Sequence, residues 1–235
     1  MVDIVMNGPA KNALGSKMMD FLEAGLDAAG GAPVRLTGSG DAFCAGLDLK
    51  EVASLDPGAM QGFLEKLERV CAKLFDYPGP TVAWVNGHAI AGGAILALCC
   101  DVRVASNVGK ARIGLNEVAI GLRFPPGILR IVRARLSPLQ ASEAILGAAL
   151  HDPQSALRLG LVDEVVAVAE GDAVSKRRLE ALAAHPAAAY TASKQDLGRG
   201  VTDVPAAEKK RFLDEVLPTW TDEAIRERIL SVLRK

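Results

Sequence analysis

The stretch VAWVNGHAIAGGAILALCCD, residues 82–101, constrains this chain more than any other. A strand-like run enters a glycine-rich turn, and an apolar helix-like run leaves it. Such a turn usually presents something reactive. Here it carries no serine, cysteine or acid, and the first two turns of the helix have no polar side chain. The backbone N–H groups at a helix start lack partners within the helix, and the helix dipole makes that end electropositive. Gly92 and Gly93 let another group approach that backbone. Two readings stay open on these residues alone. The turn offers amides to developing negative charge, or it is a close-packed glycine turn.

A second loop, TGSGDAFCAGLDL at residues 37–49, also follows a short strand. It is not a dinucleotide-binding fingerprint, because Phe43 stands where the third glycine would have to be. Its tight turn, Ala45-Gly46-Leu47, again has no catalytic side chain. Two such loops could aim two N–H groups at one carbonyl oxygen, which is what an oxyanion hole requires.

Around these loops, helical and strand-like segments alternate, which predicts an α/β class. Helical spacing covers Ser16–Ala29 and Pro57–Tyr77, while Pro33–Thr37, Thr81–Val85, Val102–Ala105 and Glu164–Val168 read as short strands. Ser137-Pro138-Leu139-Gln140 has the form of a capping box, and Asp152-Pro153 starts another helix. From Asp172 the pattern is helical, with a break near Gly198–Val204. The expected organisation is a mixed core over 1–168 and a helical region over 169–235. With 50% hydrophobic residues but only 4% aromatics, the core must be built from small aliphatic side chains. A net charge of −1 argues against a broad nucleic-acid-binding face. Four cysteines without a C-x-x-C pair read as buried thiols of a reducing compartment, and three scattered histidines show no metal-ligand spacing. The first residues show no signal-peptide pattern, and the longest apolar run, about twelve residues, is well short of the ~20 that cross a bilayer. A cytoplasmic protein without a membrane or nucleic-acid partner is expected.

Taken together, the motifs resemble the enoyl-CoA hydratase/isomerase (crotonase) superfamily. DAFCAGLDLKE is similar to its F-x-A-G-x-D-[IL] segment, and VNGHAIAGGAILALCCDVRVAS to its V-N-G-x-A-x-G-G-G-x-x-L-A-x-x-C-D segment. IGLNEVAIGL is similar to its P-E-x-x-x-G segment, in an N-E form, and residues 141–166 to the region ending A-x-x-x-G-L-V-[DN]-x-V-V. The likeness covers roughly residues 7–168. It implies a spiral of ββα units with a C-terminal helical region that builds trimers, often paired as hexamers. It also implies an acyl-CoA thioester substrate, an enolate held by the amides of Leu47 and Gly92, and substrate or CoA contacts at Ala45, Leu47, Leu49, Lys50, Gly93 and Ile95. No metal or separate cofactor is implied, CoA being part of the substrate. For the oligomer, the apolar residues Phe212, Leu213, Val216, Leu217 and Trp220 are candidate interface positions, with packing inside the chain as the other reading.

Typical hydratases of the family use two glutamates. One matching position here is Glu117, and the other is Ile95, which cannot transfer a proton. Adding water to a 2-enoyl thioester engages two carboxyl groups, whereas moving a double bond from C3 to C2 needs one base that returns its proton. A Δ3–Δ2-enoyl-CoA isomerase using Glu117 is therefore the leading expectation. Hydratase, acyl-CoA or diketone hydrolase and non-catalytic CoA-binding protein are the alternatives. Asp48 and Asn86 are expected to brace their loops, Asp101 to be structural and His88 to pack. Arg123-Phe124-Pro125-Pro126, in place of a glycine-rich stretch, should reshape the acyl site. Only five residues precede MNGPAKNAL, so the expectation is either the loss of an edge strand or a chain compact by design.

Overall fold

The computed structural model describes residues 1–233. Eight strands, all paired in parallel, form two sheets. Five of them, β1 (Val2–Met6), β2 (Val34–Gly38), β4 (Thr81–Val85), β6 (Val102–Ser106) and β8 (Glu164–Val166), lie side by side in that order. The other three, β3 (Ala42–Cys44), β5 (His88–Ile90) and β7 (Ile113–Gly114), make a small second sheet. Each of β2, β4 and β6 bends into a strand of the small sheet before the chain turns helical, so the expected ββα unit occurs three times. Parallel strands must be covered on both faces, and every residue of β2 and β4 is buried accordingly.

The helices follow from their apolar spacing. Ser16–Ala29 buries Met18, Met19, Leu22 and Leu26, and Pro57–Phe75 buries a stripe from Met60 to Phe75. Gly92–Cys99 is buried on every side, as its lack of polar residues requires. The capping box at Ser137 and Gln140 forms, and Asp152 caps the helix that begins at Pro153. Asn86 ties two bends together: its Oδ1 accepts from the Gly38 N–H at 3.2 Å and its Nδ2 donates to the Gly40 carbonyl at 3.1 Å. The outer face of the large sheet is covered by the helix Gly171–Ala183, whose Val174 and Leu179 pack with Val82, Trp84 and Val104.

In the C-terminal region, packing inside the chain is the reading that holds for four of the five apolar residues. Phe212, Val216, Leu217 and Trp220 are buried within the chain, and only Leu213 is exposed. A π-helical turn covers Phe212–Val216, and Leu217 separates it from Pro218. The Leu217–Trp220 turn packs against the helix Pro57–Phe75. Among the described residues no helix is long and apolar enough to cross a membrane.

Candidate active site

The two glycine turns meet. Gly46 has φ +95°, a left-handed conformation suited to glycine, and a Cβ there would stand 2.9 Å from the Ile90 carbonyl oxygen. Gly93 packs so closely on β3 that a Cβ would fall 2.1 Å from the Cys44 carbonyl oxygen. Between them, Ala91 takes φ 50°, ψ −118°, a region that L-residues seldom enter. Its N–H is held by the Gly114 carbonyl at 2.8 Å, and its carbonyl accepts from Ile95 at 3.0 Å. Gly92 then opens the helix. Neither its N–H nor that of Leu47 finds an acceptor among the described residues.

These turns form one end of a cavity of about 230 Å³. Ala45, Leu47, Leu49, Gly92, Ile95 and Glu117 line it, so the structure brings six of the eight motif residues to one place. Gly93 and Lys50 do not reach the wall. Gly93 lies behind the turn against Cys44, and Lys50 is exposed on the short helix Leu49–Ser54. Asp48 caps that helix, accepting from the N–H groups of Lys50 and Glu51 at 3.0 and 3.2 Å, as a bracing role requires. Arg123, Phe124 and Pro125 line the cavity, while Pro126 does not.

Glu117 is the sole acid on the wall among the described residues. It is 6% exposed, and its Oε2 is buried without a hydrogen-bond partner. Burial pushes its carboxyl up to about 7. Its carbonyl accepts from the N–H groups of Ile120 and Leu122, which fixes the turn that carries it. The rest of the wall is nearly all apolar, with Leu67, Ile120, Leu122, Ile128, Leu150 and Trp220 excluding water. A base near neutrality in one cavity with two free amides can remove a proton next to a carbonyl and leave the resulting charge on the oxygen.

Besides the aliphatic lining, two wall residues with hydrogen-bonding side chains escape the sequence reading as site residues. Asn116, beside Glu117, has a buried Oδ1 with no partner. Its place within the motif is the one signal that points to it. Trp220, whose Nε1 donates to the Arg123 carbonyl at 3.2 Å, comes from the far end of the chain, and nothing local marks it. His88 stands outside the cavity, its Nδ1 accepting from the Arg112 N–H at 3.2 Å. A larger, more open cleft of about 730 Å³ lies along the helix Ala187–Gly198. Its buried polar groups satisfy each other: Asp101 accepts from Lys194 and Tyr190 at 2.9 Å each, which makes it the structural residue expected.

Comparison with known proteins follows the same lines. The family model described as enoyl-CoA hydratase/isomerase matches residues 1–227. The rat mitochondrial methylglutaconyl-CoA hydratase is 37% identical over 141 residues, 59% of this chain and 44% of its own length. The chain therefore spans under half of that relative. The crystal structure of human mitochondrial delta3-delta2-enoyl-CoA isomerase superposes with a TM-score of 0.91 over 99% of this chain and 93% of the other, at 23% identity, a likeness of fold. A Mycobacterium tuberculosis protein, described as an enoyl-CoA isomerase in one structure and as a probable enoyl-CoA hydratase in another, is 29% identical in the first, with a TM-score of 0.82 over 91% of this chain and 93% of the other. With its repeated ββα units and its paired glycine turns, this chain belongs to the enoyl-CoA hydratase/isomerase family and has the crotonase fold.

Proposed function

We propose that this chain shifts a double bond from C3 to C2 of an enoyl-CoA thioester, with Glu117 as the one acid/base. The observation that carries this reading is the single buried carboxyl on the cavity wall, with Ile95 where a second acid would act. The thioester oxygen sits between the N–H groups of Leu47 and Gly92. Glu117 takes a proton from C2, the amides hold the enolate oxygen, and the same carboxyl returns the proton at C4. A raised pKa suits a group that must both accept and donate. CoA enters as part of the substrate, with Ala45 and Leu49 beside it and the Lys50 ammonium within reach of its phosphates. No metal or further cofactor takes part, and the working form is a homotrimer or a pair of trimers. A single monomer mass in light scattering would contradict that assembly.

Hydration of a 2-enoyl-CoA is the second reading. The unpartnered Asn116 Oδ1 beside Glu117 favours it, since the two could hold a water together. Incubation with 3-hexenoyl-CoA and, separately, crotonyl-CoA separates the two, followed by ultraviolet absorbance and product mass. Conjugation of the 3-enoyl compound with no gain of water is expected. Loss of crotonyl conjugation with the mass of one water added would establish hydration instead. Glu117→Gln should lower turnover by about 10²–10⁴-fold while hexanoyl-CoA still binds. Turnover at the parent rate in that variant would end the assignment of Glu117.

A further inference from the structure

The segment that bears the Leu47 amide is held from one side by an unusual turn. Ala10, Lys11 and Asn12 follow one another with φ of 49°, 59° and 61°. L-residues disfavour this left-handed region, and asparagine is among those that tolerate it best. Asn12 is 1% exposed, and its side chain is saturated. Its Nδ2 donates to the carbonyls of Ser39, Ala42 and Phe43 at 3.0, 2.9 and 3.4 Å. Its Oδ1 accepts from the Gly8 N–H at 3.1 Å, and the Ser39 hydroxyl is shared between it at 3.3 Å and the Asn7 Oδ1 at 2.9 Å. The segment so pinned, residues 11–14, takes up amides two residues before Leu47 and one residue after it. Ala45 N–H donates to the Lys11 carbonyl at 3.1 Å, and Asp48 N–H to the Leu14 carbonyl at 3.1 Å. Leu14 N–H donates back to Gly46 at 2.7 Å.

We infer that Asn12 is a positioning residue for the oxyanion hole. Through the left-handed turn it fixes the peptides flanking Leu47, so that the Leu47 N–H is left free and stationary for the thioester oxygen. The inference rests on the reading of Leu47 and Gly92 as the oxyanion amides. It assigns Asn12 no contact with substrate. Asn12 works on the charge-bearing end of the reaction, and Glu117 on the proton-bearing end.

The test is the infrared carbonyl band of hexanoyl-CoA labelled with ¹³C at the thioester carbon, a ligand with no double bond to move. In the parent protein the bound band moves to lower frequency than in water. Asn12→Gly keeps a backbone free to adopt positive φ and removes the side chain. It should return the band toward its solution position and lower kcat on 3-hexenoyl-CoA by about 100-fold, while the Kd of hexanoyl-CoA changes by less than about threefold. Ser39→Ala removes one hydroxyl from Asn12 and should move the band by a smaller step in the same direction, which tests the inference even where Asn12→Gly does not fold. Asp172→Ala, on the opposite face of the large sheet, loses an ion pair to Arg35 and should leave the band where it is. A shifted band in the parent that stays unchanged in folded Asn12→Gly and in Ser39→Ala overturns the role of Asn12 alone. An unshifted band in the parent overturns the oxyanion hole and the role of Asn12 with it.

Discussion

At the scale of single residues, the site sets one carboxyl against a wall that gives it no partner. A carboxyl at about 7 when folded, against an ordinary value of 4.5, binds more protons in the folded state. Stability therefore falls as pH rises from about 4.5 through about 7, by roughly 3 kcal/mol in all. Glu117→Gln lacks this slope. In urea melts its advantage over the parent should be absent near pH 4, grow through pH 7 and then level off. Catalysis runs the other way, because the base must be ionised: kcat/KM should rise with pH through about 7. A flat profile would contradict the carboxyl as base. Asn116 is a second unsatisfied acceptor on the same wall. Asn116→Leu, similar in volume and without a polar atom, should stabilise the fold by about 1–3 kcal/mol in the same melts. An unchanged midpoint would show that the amide has found a partner, such as a bound water.

At the scale of elements, the helices act as covers. The helix Ala187–Gly198 has no buried residue of its own and is tied to the core by Asp101. That carboxylate also accepts from the Thr81 N–H and hydroxyl at 2.8 and 3.0 Å, joining β4 to the helix. Both partners of the Asp101–Lys194 pair are 12% exposed, so removing one leaves a charge nearly buried and uncompensated. Asp101→Ala should cost about 3 kcal/mol or more in a urea melt, with 3-hexenoyl-CoA turnover retained while the chain is folded. A loss under 1 kcal/mol would mean that water satisfies Lys194. The π-helical turn at Phe212–Val216 is the other element that matters to the site, because it directs the chain toward Trp220 and the cavity wall.

At the scale of the whole molecule, the core is mainly aliphatic, with Phe43, Phe63, Tyr77 and Trp220 packed into it, and the four thiols are all buried. Burial raises Cys44 to about 12 and pushes Cys99 and Cys100 well above the usual thiol range. Since the thiolate is the reactive form, a thiol-specific dye should label none of the four before urea unfolds the chain. Labelling in native buffer at the unfolded rate would contradict this packing. The long helices and the strands of the large sheet were legible in the residues, because hydrophobic spacing and β-branched runs are local properties. Ser16–Ala29 and Thr81–Val85 follow their sequence boundaries. So were the two glycine turns and the identity of Glu117, which stand within short motifs. The second sheet emerged from long-range packing alone, since its strands of three, three and two residues are too short to carry an alternating pattern. The left-handed turn before Asn12 and the arrival of Trp220 at the wall belong there too, since both depend on contacts distant in sequence. The proton affinity of Glu117 was decided at that level for the same reason: residues as far apart as Leu67, Leu150 and Trp220 exclude the water that would otherwise hold its charge.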